Sequence, residues 1–211
     1  MSRSLAEAAA AAATCTRCRL AEGRTHVVYG VGHPDAELLF IGEGPGFHED
    51  QQGEPFVGAA GQLLTRMLAE IGIRREDVYI ANVVKCRPPG NRDPEPDEIE
   101  ACTPWLIEQV SLIQPSLIVT LGNFATKFVL NTTTGITRLR GQRFPWHGRT
   151  VIPTFHPAAV LRSGGDASRQ FGDFRGDFDL VRRVLDELRT PAPTADPAPP
   201  GDDAKSQLEL F

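Results

Sequence analysis

The sequence predicts an α/β fold, a three-layer α/β/α sandwich around a central parallel four-stranded sheet. Three observations carry this. Four short apolar runs read as buried strands: 37–41, 78–84, 117–121 and 150–155. Their length and β-branched content suit parallel strands covered on both faces. Amphipathic helical patterns separate them, so strand and helix alternate along the chain. Each strand end is followed by a polar segment containing Gly, Pro or Asn (42–50, 85–93, 122–123 and 156–162). Ligands of such folds sit at the carboxyl ends of the strands.

Four helices are expected between and after the strands. Residues 60–71 place Leu63, Leu64, Met67, Leu68 and Ile71 on one face. Residues 97–113 open with acids, which suit the positive end of a helix. Residues 123–130 follow Gly122, with Asn123 as the expected N-cap. Residues 177–188 form a last amphipathic helix. An Ala-rich stretch, 5–13, interrupted by Glu7, reads as a soluble helix rather than a signal peptide.

At 211 residues the chain can bury one sizeable core. Its 41% apolar and 23% charged residues are ordinary for a globular protein. No apolar run reaches the length of a membrane span, and a cytoplasmic monomer is expected. The folded domain is expected over 1–189. Residues 190–206 contain PAPTADPAPP and read as a flexible linker, with a separate short peptide at 207–211.

The net charge of −5 speaks against a nucleic-acid partner until its distribution is considered. Residues 137–162 hold Arg138, Arg140, Arg143, Arg149 and Arg162 without an Asp or Glu. Residues 81–92 hold Lys85, Arg87 and Arg92, again without an acid. The tail from Thr190 carries four acids against one lysine. A basic face is therefore compatible with a phosphate backbone, as it is with a plain solvated surface.

The four cysteines run C-x2-C (Cys15, Cys18), a long gap, then C-x15-C (Cys86, Cys102). Disulfides are not expected in a cytosolic protein of this size. Four thiolates suit zinc or a [4Fe–4S] cluster. A single C-x2-C knuckle fits a cluster better than a zinc ribbon, and unrelated buried thiols are the remaining reading. After the first strand, Gly42-Glu43-Gly44-Pro45-Gly46 lets backbone approach a ligand closely, but it is neither a dinucleotide fingerprint nor a phosphate loop. Phe56, Asn82 and His156 then bring a stacking ring, a bidentate amide and an imidazole to one edge of the sheet. Each alone would more often be core or cap.

Taken together, the four cysteines, GEGPG followed by Glu49-Asp50, GEPFVGAAGQLL (53–64), NVVKCRPPGNRDP (82–94) and FHPAAVLR (155–162) resemble the family 4, thermostable-type uracil-DNA glycosylases. The resemblance covers about residues 14–185. It implies an enzyme that flips uracil out of DNA and hydrolyses its N-glycosidic bond, leaving an abasic site for base-excision repair. It implies that Phe56 stacks on uracil, that Asn82 reads its O4 and N3–H, and that His156 donates to O2. Glu43 would hold the attacking water. Gly44 matches a substrate-binding position, and Glu49 and Asn91 match the pocket or its water network. Arg138, Arg140, Arg143 and Arg162 would grip phosphates, with Leu161 entering the space vacated by the base. Cys15, Cys18, Cys86 and Cys102 would hold a [4Fe–4S] cluster.

Two departures from the family pattern stand out. Gly44 occupies the place where the best-known uracil glycosylases carry an Asp base, leaving Glu43 to act by side chain or backbone carbonyl. Phe47-His48 replaces a more acidic pair. A related subfamily traps uracil DNA covalently through a histidine on a basic inserted loop. Residues 137–146 show no such insertion, so turnover is expected. No lysine is expected in the pocket loops except Lys85, which suits a monofunctional enzyme. The C-terminal Gln207-Leu208-Glu209-Leu210-Phe211 resembles the peptide by which bacterial repair proteins bind the sliding clamp: Gln207, Leu208, Leu210 and Phe211 would be its anchors, on a linker reaching on the order of 50 Å. The competing classes are a non-catalytic lesion-binding module and an unrelated iron–sulfur nucleotide-binding protein.

Overall fold

The computed structural model describes residues 3–190. The expected linker and the peptide 207–211 lie outside the described residues. Helix α1 (Leu5–Ala13) begins where Ser4 and Glu7 form a reciprocal capping box. It is followed by α2 (Leu20–Gly23), β1 (Val31–Gly32), β2 (Leu38–Gly42), α3 (Phe47–Gln52), α4 (Ala59–Glu70) and β3 (Tyr79–Asn82). Then come α5 (Pro96–Ile113), β4 (Leu117–Leu121), α6 (Gly122–Leu130), α7 (Ile136–Leu139), β5 (Phe144–Trp146), β6 (Arg149–Thr154), α8 (Pro157–Arg162) and α9 (Arg169–Arg189).

The sheet has six strands in the order β1-β3-β2-β4-β6-β5, not four. The four expected strands form its parallel centre. The two additions are antiparallel edges, β1 on β3 and β5 on β6. Both are too short to show a hydrophobic period. β5 and β6 form a hairpin whose two linking residues, His147 and Gly148, both take positive φ (46° and 77°). That pair of angles matches the twist of a two-residue hairpin.

Alternate residues of the central strands point to opposite faces. Phe40, Ile80, Val119 and Ile152 face α4, α8 and α9, where Leu64, Met67, Val160, Phe174 and Phe178 complete one core. Leu39, Ile41, Ile118 and Val151 face α1, α5 and α6, where Ala8, Ala12, Trp105, Leu106 and Ala125 complete the other. The three layers are therefore those expected. Asn123 is not the N-cap of α6: the helix starts one residue earlier, without a side-chain cap, and Asn123 Oδ1 instead accepts from Ile136 N at 3.2 Å. Helix α9 starts eight residues before the expected boundary, capped by Ser168. No helix among the described residues is long and apolar enough to cross a membrane.

Candidate active site

The parallel strands end together, with Gly42 of β2 in register with Asn82 of β3. Above these ends lies a cavity of about 1000 Å³. Its walls include Glu43, Gly44, Glu49, Phe56, Asn82, Asn91, His156 and Arg162, residues from four separate segments of chain. Gly42 allows two of them to meet. A Cβ there would lie 2.3 Å from Asn82 Oδ1 and 2.7 Å from the Phe56 ring. Phe56 itself takes φ 55°, a conformation that costs on the order of 1–3 kcal/mol and persists only when its surroundings enforce it. Two features enforce it. Gly61 lets α4 lie directly against the Phe56 carbonyl. The Glu49 carboxylate accepts from Val57 N at 3.0 Å and Gly58 N at 3.1 Å, clamping the turn that follows.

Asn82 is 2% exposed, and its Oδ1 has no hydrogen-bond partner among the described residues. Leaving such an acceptor unpaired costs about 1–3 kcal/mol. A ligand N–H would recover that cost. The Phe56 and His156 rings stand 5.6 Å apart at 33°. His156 caps α8, its Nδ1 accepting from Ala158 N at 3.2 Å. Burial, with Arg162 nearby and only Glu49 opposing, pulls its pKa down to about 4. The ring is therefore neutral at pH 7, and with Nδ1 accepting, Nε2 carries the proton. Glu43 is perturbed in the opposite sense. Burial, then the neighbouring Asp93, pushes its carboxyl up to about 7.

The remaining expected residues divide. Gly44 and Arg162 line the cavity. Asn91 lines it with φ 56°, its Oδ1 held by Arg87 Nε at 2.7 Å. Leu161 is 39% exposed beside Arg162 at the end of α8. Arg138 is exposed on α7 and does not line the cavity. Arg140 and Arg143 do not line it either. Arg140 is bound to the buried Asp177, its Nε donating at 2.9 Å, while Thr154 Oγ1 donates to the same carboxylate at 2.6 Å. Arg143 pairs with Glu187 at 2.5 Å. Both arginines fasten the segment after α7 onto α9. The lysine expectation is corrected. Lys127 lines the cavity, whereas Lys85 points into the protein on the other side. Asp93 ends a segment expected to form the site, though no role was given to it; Phe124 and Lys127 were not expected there. Asn123 and Lys127, four apart on the helix that follows a strand end, were a legible signal for that wall.

The four cysteines come together on the opposite side of β3's end. All line one small space with Arg24, Lys85 and Trp105. Among the described residues, no group of three or more Cys, His, Asp or Glu is drawn into metal-binding geometry. The donors around the sulfurs nonetheless suit thiolates. Trp105 Nε1 donates to Cys15 Sγ at 3.4 Å, Arg24 Nη1 to Cys86 Sγ at 3.4 Å and Lys85 N to Cys102 Sγ at 3.2 Å. Burial, opposed by the Arg24 guanidinium, pushes the Cys86 thiol up to about 11. The thiolate form therefore needs such donors or a metal to stabilise it.

The fold and the strand-end pocket define a base-excision class of protein. A family model described as the Uracil DNA glycosylase superfamily matches residues 29–179. The curated type-4 uracil-DNA glycosylase of Sulfurisphaera tokodaii is 50% identical over 157 residues, covering 70% of this chain and 71% of its own. That of Archaeoglobus fulgidus is 52% identical over 156 residues, covering 70% and 78%. That of Thermotoga maritima is 51% identical over 158 residues, covering 74% and 82%. The chain belongs to the uracil-DNA glycosylase superfamily and, within it, to the type-4 group.

Proposed function

We propose that the protein excises uracil from DNA by hydrolysing the N-glycosidic bond, the first step of base-excision repair. The observation that carries this is the orphaned Oδ1 of Asn82, buried in the wall of the cavity that the Phe56 ring and the neutral His156 imidazole also line. Uracil offers N3–H to that oxygen and O4 to the amide nitrogen. Cytosine offers the reverse pattern at both places, and a site left with unpaired polar groups rejects such an analogue strongly. Phe56 supplies the stacking face, worth roughly 1–3 kcal/mol per base. As the glycosidic bond lengthens, charge builds on uracil O2, and His156 Nε2–H is the fixed donor for it. Water then meets an oxocarbenium-like sugar. Glu43, ionising near neutrality, can take its proton. Its backbone carbonyl already accepts from Val84 N at 3.1 Å, which favours the side chain for that task.

Flipping the nucleotide costs a few kcal/mol. Leu161 fits the vacated space, and Arg162, Lys127 and Arg138 are the cations best placed to hold phosphates. Arg140 and Arg143 contribute through the packing of their own segment. The protein is proposed to turn over as a monofunctional, monomeric enzyme. Cys15, Cys18, Cys86 and Cys102 are proposed to hold a [4Fe–4S] cluster. When bound, it would supply metal–thiolate bonds that pin the N-terminal segment and the loop after Cys86 to the domain, and no proton or electron of the base chemistry is assigned to it. On sequence alone, Gln207, Leu208, Leu210 and Phe211 are proposed to bind the sliding clamp, keeping the enzyme near cytoplasmic, nucleoid DNA.

The test is incubation with an oligonucleotide carrying one uracil, followed by heating in alkali. Strand cleavage at the uracil, with no SDS-stable adduct, is the expected result. Binding without cleavage would overturn the enzymatic reading.

A further inference from the structure

Lys85 is 1% exposed, yet no carboxylate among the described residues lies within hydrogen-bonding distance of its ammonium. Its Nζ donates to the backbone carbonyl of Asn82 at 2.7 Å and to Gln109 Oε1 at 2.5 Å, and lies 5.7 Å from the centroid of the Tyr29 ring. Gln109 is itself fixed, its Nε2 donating to Tyr29 O at 2.8 Å. The backbone N–H of Lys85 donates to Cys102 Sγ. Burying an ammonium is costly, and an apolar residue of the same volume is often neutral or stabilising in its place. Core packing therefore gives no reason for a lysine here.

The bonds it makes do give one. Asn82 is the last residue of β3, and a base-reading amide must hold its plane against the ligand. Past it the backbone pairs on one side through Val83 N to Gly42 O at 2.9 Å, and on the other only three residues on, through Val28 N to Lys85 O at 2.8 Å. Between these backbone bonds, the Asn82 carbonyl accepts from the Lys85 ammonium. One residue thus joins the peptide that carries the orphaned amide to a cysteine sulfur and to α5.

We propose that Lys85 is a positioning residue: by holding the Asn82 carbonyl it fixes the amide that reads the base, and it ties that amide to the cysteine centre. The inference rests on the uracil-excising reading above. The test compares wild type with Lys85→Met, an apolar replacement of similar length. Three quantities are read: Tm, visible absorption, and kcat and KM for uracil release. Expected are an unchanged or raised Tm, unchanged absorption, KM within about threefold, and kcat at least about tenfold lower. A kcat within about twofold of wild type would overturn the proposal. So would a kcat loss that merely follows a lower Tm. If Lys85→Met does not fold, Gln109→Met carries the test, since it removes one of the two acceptors that aim the ammonium. A kcat about threefold or more lower at unchanged absorption supports the proposal, and an unchanged kcat overturns it. Wild-type protein assayed alongside separates the two readings. An inert wild type strikes the function itself; an active wild type beside an unaffected variant strikes only Lys85.

Discussion

The two sides of β3's end differ in how their polar atoms are satisfied. On the cavity side Asn82 Oδ1 is buried without a partner, and His156 presents a proton that no described residue takes. On the cysteine side three of the four sulfurs already accept an N–H. Tyr29 Oη and Arg149 Nε are also buried and unpaired among the described residues. Asn82 Oδ1 is the one in the wall of the cavity, where a ligand can pair with it and recover the cost it carries. A group already paired contributes to holding the fold. The difference teaches that base chemistry and fastening are separate tasks here, placed a few residues apart along 82–86.

That separation can be broken by substitution. The largest effect belongs to Asn82→Ala, which removes both base-reading contacts. Uracil release should fall about a thousandfold or more, since sites built to hydrogen-bond a substrate lose on the order of 10⁴ when the match is lost. His156→Ala removes the donor for the developing charge and should lower kcat by about 10²–10³. Glu43→Gln should cost about 10², with a distinctive pH signature. With the carboxyl near 7 and acting as a base, the wild-type rate climbs as pH rises through 7 and then levels, because the ionised form is the active one. His156, with its pKa near 4, stays neutral over that whole range. Glu43→Gln should abolish the rise; a rise that survives would return the water to the backbone carbonyl. The smallest effect on chemistry belongs to Cys15→Ser. It should bleach the visible absorption of the proposed cluster and lower Tm by about 5 °C or more, at roughly 2–4 °C per kcal/mol for a domain of this size. The rate per folded molecule should stay within about threefold.

Much of the fold was legible because its centre is written in hydrophobic period. The run 117–121 and the helix 5–13 match β4 and α1 residue for residue, and the other central strands differ by one or a few residues. The edge strands were not legible. Val31–Gly32 and Phe144–Trp146 exist through pairing with a neighbour, and so short a segment carries no period. Helix α3, FHEDQQ, is polar apart from an exposed Phe47 and less than two turns long, so it read as loop. The first turns of α9 contain Gly172 and Gly176, whose low helix propensity concealed them. At the site, Glu43, Asn82 and His156 were visible as residue types at strand ends and Phe56 as an aromatic in a Gly/Pro-containing connection, and the cavity brings them together. Their physical states were not visible. The shift of Glu43 comes from burial and an acid fifty residues away, and the strain at Phe56 from a helix that packs against it. The basic run 137–149 misled for the same reason, because the acids that take up Arg140 and Arg143 lie on α9.

The division of labour is tested most directly by single-turnover uracil release per folded molecule, measured for Asn82→Ala and Cys15→Ser beside wild type. The expected result is a loss of about a thousandfold for Asn82→Ala at unchanged or raised Tm, and a near wild-type rate for the folded fraction of Cys15→Ser. A rate within about tenfold of wild type for Asn82→Ala, or an equal collapse in both variants, would contradict it.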